Sequence, residues 1–285
     1  MTIPGLIVVF GAMLGGFLMA GGNPMGLIQP AEFITIGGMA FGSMVLSTPM
    51  KILKKCFGKL SGAFKGGHFN REVYVDLLVM MFRLFSLARK NGLLSLEPHI
   101  SEPEKSDIIS KYPRILHNKL VIETITETLR LVVDGSVQPE EIDNLMESSI
   151  DTFEAEGHMP ISVLQAVGDG LPGIGIVGAV LGIIITMGHI DGKPEEVGHH
   201  VACALVGTFL GVFCAYGVLN PMIASISQQE AEEAKCLNVI RIAVSAYVTG
   251  SSPSIAVEFG RRAIYSFDRP GGADIDKACK AAGAA

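Results

Sequence analysis

Charge is scarce in this 285-residue chain, and what there is lies in two blocks. Glu32 is the only charged residue among the first fifty positions, and Asp191, Lys193, Glu195 and Glu196 are the only ones between Gly170 and Gln229. The rest of the 22 Lys and Arg and 28 Asp and Glu fall within 51–169 and 230–285. With 49% hydrophobic residues and a mean hydropathy of +0.44, this distribution excludes an ordinary soluble globule. It also excludes a disordered chain, which could not bury so much apolar surface. Tryptophan is absent, the net charge is −6, and neither polar block shows a basic face with interleaved aromatics. Nucleic-acid binding therefore has no support. The five cysteines (Cys56, Cys203, Cys214, Cys236, Cys279) are an odd number without a CxxC pair, so all five read as reduced thiols rather than a disulfide framework.

What is abundant is apolar sequence in long runs. A bilayer core takes about 20 helical residues to cross. Four segments qualify, at roughly Ile3–Ala20, Phe33–Met50, Gly170–Gly188 and Val201–Ile223. Backbone groups in lipid must pair internally, so these segments read as helices. The first carries no Lys or Arg ahead of its apolar stretch and reads as an uncleaved helix, not a signal peptide. Lys51, Lys54, Lys55, Lys59 and Lys65 follow the second span, whereas the 21–32 and 189–200 connections hold only Lys193 between them. The positive-inside rule then places both termini and the 51–169 block in the cytoplasm. The sequence thus predicts an all-α polytopic membrane protein with four transmembrane helices and a helical cytoplasmic domain. Its parts are spans 1 and 2 (1–50), a cytoplasmic insert (51–166), spans 3 and 4 (167–223) and a cytoplasmic helical tail (224–285).

Each span carries small residues four apart: Gly11/Gly15, Gly38/Gly42, Gly178/Gly182 and Gly207/Gly211. That spacing predicts close helix packing, within or between subunits. In the insert, Val73, Leu77, Met80, Met81, Leu84, Phe85 and Ala88 form one helical stripe. Leu120, Ile122, Ile125, Leu129 and Val132/Val133 form a second, with Gly135 as its C-cap. Pro139 begins a third helix toward Glu156, with Glu140 and Glu141 complementing its dipole and Ile142, Leu145, Met146 and Ile150 on one face. In the tail, Leu237, Ile240, Ala243 and Val244 repeat the pattern.

Catalytic and cofactor signals are weak. Gly173–Gly178 satisfies G-x-G-x-x-G, but the fingerprint requires a preceding strand, and here an apolar run surrounds it. His189, His199 and His200 have no companion ligands at fixed spacing and read as solvated loop residues, so no metal is expected. No cofactor is implied and no catalytic set stands out, so the chain does not read as an enzyme. An ion-coupled carrier usually places a carboxylate well inside the bilayer. Glu32, at the outer end of span 2, and Asp169, at the inner end of span 3, are helix-end acids and neither is central. If the chain handles ions, the central titratable group comes from a partner. Pro172 opens span 3 and Pro221 lies near the inner end of span 4, where each either terminates a helix or localises bending.

Long motifs in order resemble the MotA/PomA proteins, the A-subunits of the bacterial flagellar motor stator. They include Gln29-Pro30-Ala31-Glu32, Tyr74-Val75-Asp76-Leu77-Leu78, and Ala88-Arg89-Lys90-Asn91-Gly92-Leu93-Leu94-Ser95-Leu96-Glu97. Tyr112-Pro113-Arg114-Ile115-Leu116, Val167-Gly168-Asp169-Gly170-Leu171-Pro172, Val206-Gly207-Thr208-Phe209-Leu210-Gly211 and Pro253–Arg261 continue the match over essentially the whole chain. The resemblance implies a pentamer around a MotB-like single-span partner that supplies the membrane aspartate. Ion flow, by the same resemblance, is converted into torque on the rotor protein FliG. It implies rotor-facing roles for Arg89 and Glu97, with Lys90 able to share the contact. It also implies that Pro172 and Pro221 couple ion binding to helix movement, in a bacterial inner membrane.

Thr208 is placed to offer a hydroxyl to the ion path, or else to bond back to its own helix. Sodium-driven members of the family carry Thr where this chain has Ala179, and sodium needs several oxygen ligands. Ala179 therefore implies a proton-driven motor. Two other readings compete: an ExbB/TolQ-like proton-driven energiser, which would typically have three spans, and a small-solute transporter, for which inverted repeats or broken midmembrane helices would be expected.

Overall fold

A computed structural model describes residues 2–64, 69–135 and 137–283; Lys65, one of the lysines that set the expected orientation, lies outside them. The described residues are helical and turn structure, with no strand among them. The helices are α1 (Thr2–Met19), α2 (Pro30–Ser47), α3 (Met50–Gly62), α4 (Arg71–Asn91), α5 (Glu97–Ser101), α6 (Pro113–Leu116), α7 (Lys119–Asp134), α8 (Pro139–Met187), α9 (Pro194–Val212), α10 (Asn220–Val248), α11 (Pro253–Ala263) and α12 (Gly272–Gly283). A π-helical stretch, Phe213–Leu219, joins α9 to α10. The chain divides into two compact units, Met1–Gly66 with Glu156–Gln228, and Gly67–Ala155 with Gln229–Ala285.

Among the described residues, three helical stretches are long and apolar enough to cross a membrane: Thr2–Met19, Pro139–Met187 and Pro194–Val248. The expected second span is α2, which is not among them. Glu32 stands in its first turn, and Gly37, Gly38, Gly42, Ser43 and Ser47 dilute its hydropathy. It ends at Ser47 rather than Met50, because Thr48 is extended (φ −133°, ψ 128°) before Pro49. Met50 instead begins α3, whose lysines stand out while Leu53 and Cys56 are buried.

The expectation that Pro172 opens a span is also corrected. The helix that starts at Pro139 does not stop near Glu156; α8 runs 49 residues and contains both Pro160 and Pro172. Pro139 at its first turn, Glu140 and Glu141, and a bond from Gln138 N–H to Glu141 Oε2 at 3.0 Å secure its start.

In the second unit the caps match the sequence. Asn70 Oδ1 accepts from Val73 N at 3.0 Å and Asn118 Oδ1 from Val121 N at 3.3 Å. Gly135 closes α7 in the left-handed region at φ +64°. The α4 stripe is buried as expected, with Leu77, Met80, Leu84 and Phe85 fully enclosed. These side chains meet Ile125 and Leu129 of α7, Ile240 and Val244 of α10, and Val257 of α11 in one core. Each buried side chain of this size contributes roughly 1.5–3 kcal/mol. Two stripes shift slightly: on α7 the buried residue is Val121 rather than Leu120 or Ile122, and on α8 Leu145 is exposed. All five cysteines are free. Burial, aided by Asp276, pushes the Cys279 thiol up to about 11, so it is inert at neutral pH.

Candidate functional site: a glycine seam holding one carboxyl

Within the first unit, α8 and α9 approach almost backbone to backbone. A Cβ added at Gly175 would sit 2.7 Å from Gly207 O, and one at Gly211 would sit 2.6 Å from Leu171 O. A Cβ at Gly182 would lie 2.7 Å from that of Ala204. Only hydrogen fits at such positions, so the seam depends on these glycines. The expected pairs Gly178/Gly182 and Gly207/Gly211 thus serve packing inside this chain. Gly11, Gly15, Gly38 and Gly42 have nothing within 4 Å of an added Cβ and do not. Gly175, the main partner of Gly211, lies one turn before Gly178, inside the glycine run that mimicked a nucleotide fingerprint.

Glu32 enters this seam. A Cβ at either Gly178 or Gly207 would sit 2.5 Å from Glu32 Oε2. That oxygen is buried and finds no hydrogen-bond partner among the described residues. Glu32 begins α2 in the sequence, yet its carboxyl reaches the middle of the expected third span. Glu32 is a helix-end acid of α2, as expected, and the missing side chains of Gly178 and Gly207 let its carboxyl reach into the seam. Asp169, expected at a helix end, lies inside the continuous α8 instead; it is exposed and its Oδ1 accepts from Gln165 Nε2 at 2.9 Å.

Ala179 and Thr208 each follow a glycine that touches Glu32. Ala179 is 7% exposed and brings no side-chain oxygen. Thr208 is half-buried, and no hydrogen bond by its hydroxyl is present among the described residues. Thr186 does make the back-bond, to Gly182 O at 2.8 Å.

Neither proline terminates a helix. Pro172 lies mid-helix and gives Gly168 O no amide donor. Beside it, Asn220 Oδ1 is buried, has no hydrogen-bond partner among the described residues, and presses on the face of Gly168 where a Cβ would stand. Pro221 follows the π-helical stretch directly. There the Asn220 N–H bonds back to Ala215 O, and the wide turn adjusts the ladder just ahead of the proline ring. The two prolines therefore sit on segments that meet through Gly168 and Asn220. Sequence reading found the prolines but not the widened turn, which carries no local signature beyond a proline downstream.

The other predicted residues lie in the second unit. Arg89 and Lys90 are exposed in the last turn of α4, and Glu97 is exposed at the start of α5. Gly92, at φ +86°, makes the turn between them. Arg89 Nη1 reaches Ser251 O at 3.5 Å and otherwise faces outward. His199 and His200 lie on α9 rather than in a loop, because Pro194 starts that helix early. His200 stacks on His189 at 5.4 Å. No group of three metal-binding side chains occurs among the described residues.

Apolar helices long enough to cross a membrane, a glycine seam and an interhelical carboxyl define the class as a helical membrane protein. The comparisons agree. Residues 3–92 match the motility protein A N-terminal family and residues 116–238 the MotA/TolQ/ExbB proton channel family. Motility protein A of Escherichia coli is 37% identical over 277 residues, covering 97% of this chain and 94% of that protein. Chemotaxis protein LafT of Vibrio parahaemolyticus is 36% identical over 260 residues, 91% of each. In fold, the chain resembles the structure of C. jejuni MotAB with a TM-score of 0.80 at 24% identity, covering 95% of this chain and 98% of that one. The chain belongs to the motility protein A family.

Proposed function

We propose that this chain is the A-subunit of a flagellar motor stator and works as a proton channel only with a single-span, MotB-like partner. The observation that carries this reading is the 37% identity across 97% of the chain, together with a seam that holds a carboxyl next to Ala179. A relative solved as MotAB supports the partner. In this reading α2 is span 2 of four, both termini face the cytoplasm of a bacterial inner membrane, and five copies surround the partner's helices. The partner supplies an aspartate between α8 and α9. Arg89, Glu97 and Lys90 meet the rotor protein FliG.

The mechanism follows from bistable helices. One elementary charge crossing 100 mV releases about 2.3 kcal/mol, enough to bias a conformational step of similar size. Binding an ion does this only if it changes the relative stability of two states. Pro172 and Pro221 weaken the hydrogen-bond ladders of α8 and α10 where Gly168 meets Asn220, so a modest push has a defined place to act. Ala179 brings no oxygen to replace a sodium ion's hydration, so the coupling ion is a proton. Two measurements test this. Affinity purification from the membrane should bring down a single-span partner; recovery alone would contradict the reading. Swimming speed at fixed pH should be independent of sodium, and a steep sodium dependence would sink the proton assignment.

A further inference from the structure

Glu32 is a carboxyl owned by this chain, and the partner-supplied ion site leaves it without a task. Its Oε2 is buried between α8 and α9 without a donor, while the residue as a whole is only half-buried. The carboxyl thus has one face in the seam and a route outward. An ionised oxygen so placed is unfavourable unless something binds it. A metal cation would need further oxygens, and the contacts are Gly178 and Gly207, with Ala179 and Thr208 next in sequence. Only Thr208 among these carries a side-chain oxygen. A proton needs the carboxylate alone. The titratable groups on the facing α9 are Glu195, Glu196, His199, His200 and Cys203, all on the N-terminal side of Gly207, and the partner's aspartate is the acceptor invoked below. α8 carries none between Asp169 and His189, and α9 offers Cys203, one turn from Gly207, whose Sγ lies 3.6 Å from His199 Nε2.

We propose that Glu32 is a proton-binding site within this chain's own ion path. Its carboxylate takes a proton from a hydronium ion, releasing water, and later passes that proton to a carboxylate of the partner helix. Only O–H bonds form and break. Protonated, the group fits the slot between Gly178 and Gly207; ionised, it must withdraw toward donors, which loosens α2 from α9. The inference rests on the channel reading above and adds a titrating site to it.

The test uses the full chain co-expressed with its partner and reconstituted in proteoliposomes. Glu32→Gln keeps the shape and removes the titration. It should leave partner binding intact, lower proton flux about a hundredfold, and remove one inflection from the flux–pH profile. The parent complex should show a pH-dependent infrared carboxyl band that Glu32→Gln abolishes. Unchanged flux and profile in Glu32→Gln, or a parent spectrum with no such band, would overturn the proposal. Should Glu32→Gln fail to bind the partner, Glu32→Asp decides: a carboxyl band moved in pH supports the site, and an unmoved spectrum refutes it. A parent complex that conducts no protons refutes the channel reading instead, and the infrared band still decides Glu32.

Discussion

In the second unit, Tyr74, Leu77, Leu84 and Phe85 of α4 are almost wholly enclosed, and the chain's charges lie around them. In the first, α1 buries no residue at all, and Ile7 at 68% and Leu46 at 90% exposure face outward. The second unit is organised as water demands. It hides large side chains and caps its helices with Asn70, Asn118 and Ser252. The first is organised for a solvent as apolar as its own surface, where hydrophobic burial gives no preference for inside. Its cohesion comes instead from small residues that let backbones touch. The same substitution should therefore act very differently in the two.

The largest contrast is a large-to-small change. Phe85 is fully buried and stacks on Tyr247 with ring centroids 4.4 Å apart. Phe85→Ala should destabilise the second unit by about 3–5 kcal/mol, lowering its thermal midpoint and its yield. Ile7→Ala removes a comparable apolar group from α1 and should leave the thermal midpoint unchanged. Equal losses in both variants would mean that α1 packs against something with the density of the second unit's core.

The reverse change breaks the seam. Gly211→Val puts a branched side chain where a Cβ already sits 2.6 Å from Leu171 O, a backbone atom that cannot rotate away. The expected cost is about 1–3 kcal/mol, with loss of partner co-purification. Gly38→Val, where an added Cβ meets nothing within 4 Å, is the control and should be tolerated inside the chain. If Gly38→Val alone abolishes assembly, that glycine serves contacts between copies.

These contrasts also explain what the sequence could reveal. Helical periodicity and caps reported the second unit closely, because a water-facing core writes itself as alternating apolar and polar positions; the small errors at Val121 and Leu145 are rotations of one residue. In the first unit every face is apolar, so periodicity carries little information and span ends were set by charge alone. Hence the expected second span runs through Pro49, the expected third span begins at Gly170 inside α8, and the expected fourth span ends at Ile223 inside α10. The burial of the Glu32 carboxyl is illegible in the sequence for a similar reason. Its position along α2 was visible, but its neighbours Gly178 and Gly207 are far away in sequence and identifiable only by the absence of side chains.

A smaller effect concerns the tail of the second unit. Glu258 holds Arg261 through bonds of 2.6 and 2.8 Å and Arg262 through one of 2.7 Å. The hydrogen bonds from Arg261 lead in holding its carboxyl down at about 2, below the ordinary 4.5. The folded group is the stronger acid, so its contribution is complete above pH 4.5 and fades as pH falls from there toward 2. Glu258 is partly exposed, so the effect is about 1 kcal/mol after screening. Unfolding followed between pH 5 and 3 should show the parent losing this increment and Glu258→Gln lacking it throughout. Parallel curves for the two proteins would remove Glu258 from the account.

The smallest expected effect on stability is the most informative about function. Arg89 is exposed, and its hydrogen bond to Ser251 O is long at 3.5 Å. Arg89→Glu should change the folding stability of the second unit by less than about 0.5 kcal/mol, as surface changes do. Partner binding and proton flux should persist, since Arg89 and Glu32 belong to different compact units. Torque should fall, and fall only in part, because the neighbouring Lys90 can carry some of the contact and single exposed pairs are weak. The combined Arg89→Glu and Lys90→Glu variant should then be worse than either alone at unchanged flux. Loss of flux in parallel with torque would mean that Arg89 acts on the channel itself, and the separation of a charged surface from an uncharged seam would fail as an explanation of how this chain divides its work.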